Sequence, residues 1–255
     1  MKVVILAGGL GTRLTEETIT KPKPMVEIGS MPILLHIMKY YMKFGYNDFV
    51  ILAGYKQEII KNFFVNYNMY KNDIVYDSST NKIYHLTKNK SNFKVTILHT
   101  GDHSNTGGRL LRAKHILKKE KNFLMTYGDG LSDVNIKKLI ECHKKNKKIC
   151  TLTAVSPSGK FGDLVLKDNL VTKFNEKPVG GKNWVNGGYF VISNNIFKYL
   201  KDDQTVFESD SLAKLASHKQ LTFYKHEGFW KPMDTINDKI QLDEMIKNNN
   251  APWLI

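Results

Sequence analysis

The feature that most constrains this chain is an alternation of two kinds of segment. Strand-length apolar runs at Val3–Ala7, Phe49–Ala53, Val95–Leu98, Phe123–Tyr127 and Thr151–Val155 are separated by stretches with helical spacing. Those stretches are Pro32–Phe44, Lys56–Val65, Arg109–Leu117 and Ile136–His143, and in the first of them Ile33, Leu34, Ile37, Met38 and Tyr41 recur on one helical face. Short apolar strands between amphipathic helices imply an α/β fold, with a mainly parallel sheet and right-handed crossovers.

The pattern changes after about residue 155. Asp163–Lys167, Leu170–Asn175 and Trp184–Ile192 read as strands, divided by turn signals at Lys167-Asp168-Asn169 and Gly180-Gly181. They predict antiparallel additions or a lid. Helical spacing returns at Glu208–Ser217 and Asp234–Lys247. Residues 66–94 are polar and hardest to read, with strand-like pieces near Asp73–Tyr76 and Lys82–Leu86. One domain is expected, divided into a core (1–155), a part with antiparallel additions (156–230) and a C-terminal helix (231–255).

Composition narrows the classes. At 255 residues and 42% hydrophobic content the chain can bury a full core. No run approaches the ~20 apolar residues needed to cross a bilayer. The apolar start is cut short by Gly8 and Gly9, so it reads as a buried strand rather than a signal peptide, and a cytoplasmic location away from membranes is expected. Cys142 and Cys150 form no CxxC and are expected to be reduced. The formal charge of +14 comes from lysine clusters such as Lys137-Lys138, Lys144-Lys145 and Lys147-Lys148. With few interleaved aromatics and no continuous basic face, these argue for a solvated surface and against a nucleic-acid partner. The excess still favours anionic small substrates.

The chemistry begins at Leu6-Ala7-Gly8-Gly9-Leu10-Gly11-Thr12-Arg13, directly after the first strand. Glycines let backbone amides approach a phosphate chain, and Arg13 adds a planar charge. The run is neither GxGxxG nor a Walker loop. Lys21-Pro22-Lys23-Pro24 follows, its prolines fixing the backbone that carries Lys23. Tyr127-Gly128-Asp129 closes a predicted strand, where open α/β sheets place ligands. Asp234, in Trp230-Lys231-Pro232-Met233-Asp234, opens the last predicted helix and suits its N-cap. Gly107-Gly108, before the helix predicted from Arg109, would expose amides to a ligand; the alternative is an ordinary helix N-terminus capped by Thr106.

The GGxGTRL run followed by Lys-Pro resembles the sugar-phosphate nucleotidyltransferase family. The resemblance implies a Rossmann-like mixed sheet flanked by helices, with antiparallel additions forming a sugar-binding lid. It assigns Leu6, Ala7, Gly8, Gly9, Gly11, Thr12, Arg13, Lys23, Ser104, Thr106, Arg109 and Gly128 to the nucleotide. It makes Asp129 and Asp234 ligands of Mg²⁺, and Arg13, Lys23 and Lys177 catalytic. Phe174-Asn175-Glu176-Lys177-Pro178, Asn186-Gly187-Gly188 and Phe161-Gly162 match elements that meet the sugar phosphate, giving Gly162, Glu176, Lys177, Asn186 and Gly187 to that side. Lys160 stands where the family has arginine.

Within the family, the loop Thr15–Thr18, the run Thr100–Arg109 and the terminal Ala251-Pro252-Trp253 resemble the cytidylyl branch. The implied reaction joins CTP and glucose 1-phosphate to give CDP-glucose and pyrophosphate. The resemblance also implies a homo-oligomer, specifically a hexamer, and a product destined for deoxysugars of surface polysaccharide. Another nucleotide or phosphorylated acceptor, or a non-catalytic regulatory relative, are the alternatives.

Overall fold

The computed structural model describes residues 1–86, 91–156, 163–175 and 184–254. Strands β1 (Val3–Ala7), β2 (Asp48–Ala53), β3 (Lys94–His99) and β4 (Asn122–Tyr127) pair in parallel in the order β3-β2-β1-β4. The sheet continues past β4 through β5 (Cys150–Val155), β6 (Asp163–Lys167), β7 (Leu170–Asn175), β8 (Val185–Ser193) and β9 (Leu221–His226), in the order β8-β5-β9-β7-β6. β8 runs antiparallel to both its neighbours, and β7 antiparallel to β9 and β6. Nine strands thus form one mixed sheet among the described residues.

Alternation along each strand builds two cores. Val3, Ile5 and Ala7, with Phe49, Ile51 and Leu124, point to one face. There they pack with helices α1 (Ile33–Lys43), α4 (Ile136–Asn146) and α5 (Ile236–Lys247) through Ile37, Leu139 and Leu242. Val4, Leu6, Val50, Leu52 and Met125 point to the other face, covered by Leu110 of α3 (Thr106–Arg112) and by Phe207, Leu212 and Leu215. Helix α2 (Gln57–Val65) follows β2. Runs that looked uniformly apolar in sequence are therefore two-sided interior strands.

β1 lies between β2 and β4, and all three run parallel, so their carboxyl ends lie together at one edge of the sheet. Open α/β sheets bind ligands at the carboxyl ends of their strands.

Three expectations need correction. The helix predicted over Arg109–Leu117 begins at Thr106 and breaks at Ala113, where ψ is −1°, before a final turn at Lys114–Leu117. The segment predicted from Glu208 begins as a π-helical turn, Phe207–Leu212, before Ala213–Ser217 becomes α-helical. The last helix starts at Ile236 rather than Asp234. Thr235 is its N-cap, and a reciprocal capping box with Asp238 fixes that start. The strand at Leu221–His226 had no clear sequence signal. The pieces expected near residues 73–86 are real: Ile74–Asp77 and Lys82–His85 form an antiparallel hairpin.

Candidate active site

The glycine-rich turn continues β1 and forms one wall of a cleft of about 400 Å³. The guanidinium of buried Arg109 holds it from behind. Arg109 Nη2 donates to the Gly8 carbonyl at 2.9 Å, and Nη1 to the Gly101 carbonyl at 2.6 Å and Thr100 Oγ1 at 3.0 Å. A Cβ at position 8 would sit 2.2 Å from Arg109 Nη1, so glycine there is what lets the guanidinium pack against the loop. Burial lowers the pKa of Arg109 from its ordinary value, and the surrounding carbonyls solvate the cation. Arg109 therefore lines the cleft while shaping the loop, both of its terminal nitrogens donating to protein oxygens.

Lys23 begins a single 3₁₀ turn, Lys23–Met25, whose Met25 N donates to the Pro22 carbonyl at 2.8 Å. The turn aims the ammonium between two carboxylates. Nζ lies 2.7 Å from Asp129 Oδ2 and 2.7 Å from Asp234 Oδ1, residues 106 and 211 positions away. Burial works to lower the Lys23 pKa, but the charges and hydrogen bonds of both aspartates outweigh it and the net shift is upward. Arg13 Nη1 stands 3.6 Å from Asp234 Oδ2, with its side chain largely in solvent.

Backbone pairing brings the aspartates together. Trp230–Pro232 forms an antiparallel ribbon with Gly130–Ser132, and Met233 N donates to the Asp129 carbonyl at 2.8 Å. Because Thr235 caps the following helix, the Asp234 carboxylate is left for the cleft. Two hard oxygen donors converging on one cation suit Mg²⁺, which takes one or two carboxylates and completes its shell with water and phosphate oxygens. Among the described residues no group of three or more His, Cys, Asp or Glu forms a closed metal cage. The pair fits a metal shared with a phosphorylated substrate.

All twelve residues expected at the nucleotide line this one cleft, together with Asp129 and Asp234. Pro24, Asn105 and Tyr127 line it too and were not anticipated. Tyr127 had read only as the end of a buried strand. Asn186 and Gly187 do not line the cleft. Asn186 Nδ2 donates to the Tyr127 hydroxyl at 3.2 Å, and the Gly187 carbonyl accepts from Trp230 Nε1 at 2.7 Å. Lys160, Gly162, Glu176 and Lys177 fall outside the described residues.

The Gly107-Gly108 and Thr106 readings change. The amides of Gly107 and Gly108 are not exposed: both donate to the Thr205 carbonyl, at 3.0 and 3.2 Å. A Cβ on Gly108 would fall 2.3 Å from the Asp203 carbonyl oxygen, so these glycines serve close packing. Asn105, not Thr106, is the N-cap residue. The Thr106 hydroxyl accepts from Phe207 N at 2.9 Å and donates to Glu208 Oε2 at 2.6 Å.

The site can therefore hold a polyphosphate along the glycine turn, with cations on one side and a carboxylate pair for a metal at its end. Comparison with known proteins points to one family. The nucleotidyl transferase family model matches residues 2–248. A protein named glucose-1-phosphate cytidylyltransferase from Salmonella typhimurium is 46% identical over 253 residues, covering 99% of this chain and 98% of its own. A probable glucose-1-phosphate cytidylyltransferase from Bacillus subtilis is 40% identical over 256 residues, with full coverage of both. A solved structure of a putative glucose-1-phosphate thymidylyltransferase from Bacillus anthracis superposes with a TM-score of 0.78 over 97% of this chain and 96% of its own. At 17% identity that likeness shows the fold alone.

Proposed function

The chain belongs to the nucleotidyl transferase family, and from that premise we propose that it transfers a cytidylyl group from CTP to α-D-glucose 1-phosphate, releasing pyrophosphate. The observation that carries this reading is the convergence of Lys23, Asp129 and Asp234 at the end of the glycine turn. The two relatives named for that reaction share 46% and 40% of their residues with it across nearly the whole chain.

A phosphate oxygen of the sugar attacks the α-phosphorus of CTP in line with the departing pyrophosphate. The nucleophile is already ionised near neutral pH, so positioning and charge neutralisation make up the catalytic task. Backbone amides of Gly8–Gly11 and the Arg13 guanidinium hold the β- and γ-phosphates. Lys23 turns from the carboxylates toward the α-phosphate and stabilises the charge that builds there. Asp129 and Asp234 would hold Mg²⁺, which when bound neutralises phosphate oxygens as a Lewis acid. Lys177 and Glu176, with the turn at Asn186, orient the sugar phosphate.

A cytoplasmic homo-oligomer, a hexamer on the resemblance, completes the reading. Its product would enter deoxysugar synthesis for surface polysaccharide. No helix among the described residues is long and apolar enough to cross a membrane. The hairpin at residues 74–85 exposes Ile74, Val75, Tyr76, Ile83 and Tyr84, an apolar surface suited to self-association.

The test is pyrophosphate release with glucose 1-phosphate across CTP, UTP, dTTP and GTP. CTP should lead, and Asp129→Ala should abolish turnover in a protein that still melts cooperatively. Preference for another nucleotide would reject the CTP assignment. Near-normal turnover of Asp129→Ala would reject the proposed chemistry.

A further inference from the structure

Glu208 lies outside the cleft, yet it joins the cleft's two sides. One carboxylate oxygen, Oε2, accepts from the Thr106 hydroxyl at 2.6 Å, and the other, Oε1, accepts from the Tyr127 hydroxyl. The chain of bonds goes further at each end. Phe207 N donates to Thr106, and Asn186 Nδ2 donates to Tyr127, while Asn186 Oδ1 accepts from Gly188 N at 2.9 Å. Every donor is oriented so that the run of bonds ends on the one carboxylate. An acid is needed there because both partners donate and neither has to accept from it.

The surrounding backbone is built around this relay. Glu208 lies in the π-helical turn Phe207–Leu212, a geometry that is rare in general and concentrated at functional sites. Gly107 and Gly108 press α3 onto residues 203–205, immediately before that turn. Gly188 lies so close to Tyr127 that a Cβ would come within 2.6 Å of its ring. Gly128 and Asp129 follow Tyr127 directly.

We propose that Glu208 is a positioning residue. Through Tyr127 it sets the Asn186–Gly188 turn on the sugar-phosphate side, and through Thr106 it sets the wall on the nucleotide side. This rests on the cytidylyl-transfer reading and deepens it: one carboxylate fixes the relation between the two substrates. The bond to Tyr127 governs the acceptor and the bond to Thr106 the nucleotide.

Two variants separate these effects. Tyr127→Phe removes only the bridging hydroxyl and leaves the Glu208–Thr106 bond. It should lower kcat/KM for glucose 1-phosphate roughly tenfold, the scale of one hydrogen bond to a charged group, with KM for CTP within about twofold. Glu208→Gln offers one acceptor where two are needed, so it should impair kcat/KM for both substrates. The double variant should be no worse than Glu208→Gln alone, because both changes break the same chain. The inference is overturned if Tyr127→Phe leaves the acceptor kinetics unchanged, or if its loss appears in KM for CTP. It is also overturned if the two losses simply multiply, or if all parameters fall together with the folded fraction in a thermal melt. A wild-type enzyme silent with all four nucleotides would sink the cytidylyl reading, and this inference with it. A normal wild type with indifferent variants would sink the inference alone.

Discussion

Lys23→Met would test the arrangement at the carboxylate pair. One ammonium satisfies two aspartates at 2.7 Å each, and with Arg13 nearby the four charges cancel. Methionine keeps much of the stem and removes the charge, leaving Asp129 and Asp234 facing each other. The Lys23 side chain is 12% exposed and the aspartates 32% and 25%. The loss should fall between the ~0–1 kcal/mol of an exposed pair and the ~3–5 kcal/mol of a broken buried one, or about 2 kcal/mol. For a domain of this size that lowers Tm by about 4–8 °C in the presence of a chelator.

The same substitution removes the protein cation that competes with a metal for both carboxylates. Magnesium should therefore raise the Tm of the variant more than that of the wild type. At a hundredfold excess over Kd, binding contributes about 2.7 kcal/mol, enough to offset the loss. Turnover should nevertheless fall by about 100-fold or more, because no charge then meets the α-phosphate. The assay is a pair of thermal melts, with chelator and with magnesium, alongside pyrophosphate release. Equal magnesium increments in both proteins, with an unchanged Tm in chelator, would refute the reasoning. The Lys23 pKa is shifted up from 10.5, so the stability it contributes should be fully present below that pH. It should be lost only as pH rises through the higher folded value.

Arg109→Lys should raise KM for CTP about tenfold or more and lower Tm, because one ammonium cannot bridge the acceptors on Gly8, Thr100 and Gly101; kinetics indistinguishable from wild type would show that the loop holds itself. Gly108→Ala should destabilise by about 1–3 kcal/mol in denaturant titration, since its Cβ meets the Asp203 backbone rather than a yielding side chain. His143 is buried against Thr151 Oγ1 at 2.8 Å, and burial pulls its pKa from 6.5 to about 4. The neutral ring's contribution is whole above pH 6.5 and is lost as pH falls toward 4, on the order of 3 kcal/mol. His143→Gln should flatten that limb of the stability profile, measured by urea midpoints from pH 7 to 4.

Much of the fold was legible because its signals are local. Val3–Ala7 or Ile33–Lys43 declares itself within a few turns of chain, since burial on a sheet or a helix face imposes a short period. The glycine run and Lys23 were legible for a similar reason: phosphate binding needs particular backbone freedom and charge at adjacent positions. Glu208 had no such signal. In a helical segment it resembles any surface acid, and its partners Thr106 and Tyr127 lie 102 and 81 positions away.

The sequence by itself determined the strand–helix alternation, the glycine turn and the chemical types gathered in the cleft. Only the tertiary structure decided which donor meets which acceptor. Asp234 suits a helix cap by sequence, but Thr235 and Asp238 close that cap and release it toward Asp129 and Lys23. Arg109 suits a phosphate by charge, but burial behind Gly8 commits its donors to carbonyls. Thr106 suits a cap by type, but the π-turn at Phe207 takes its hydroxyl for Glu208. The physical reason is the same in each case. Hydrogen-bond partners are chosen by proximity in space, and proximity across a hundred residues is set by packing that no local pattern encodes.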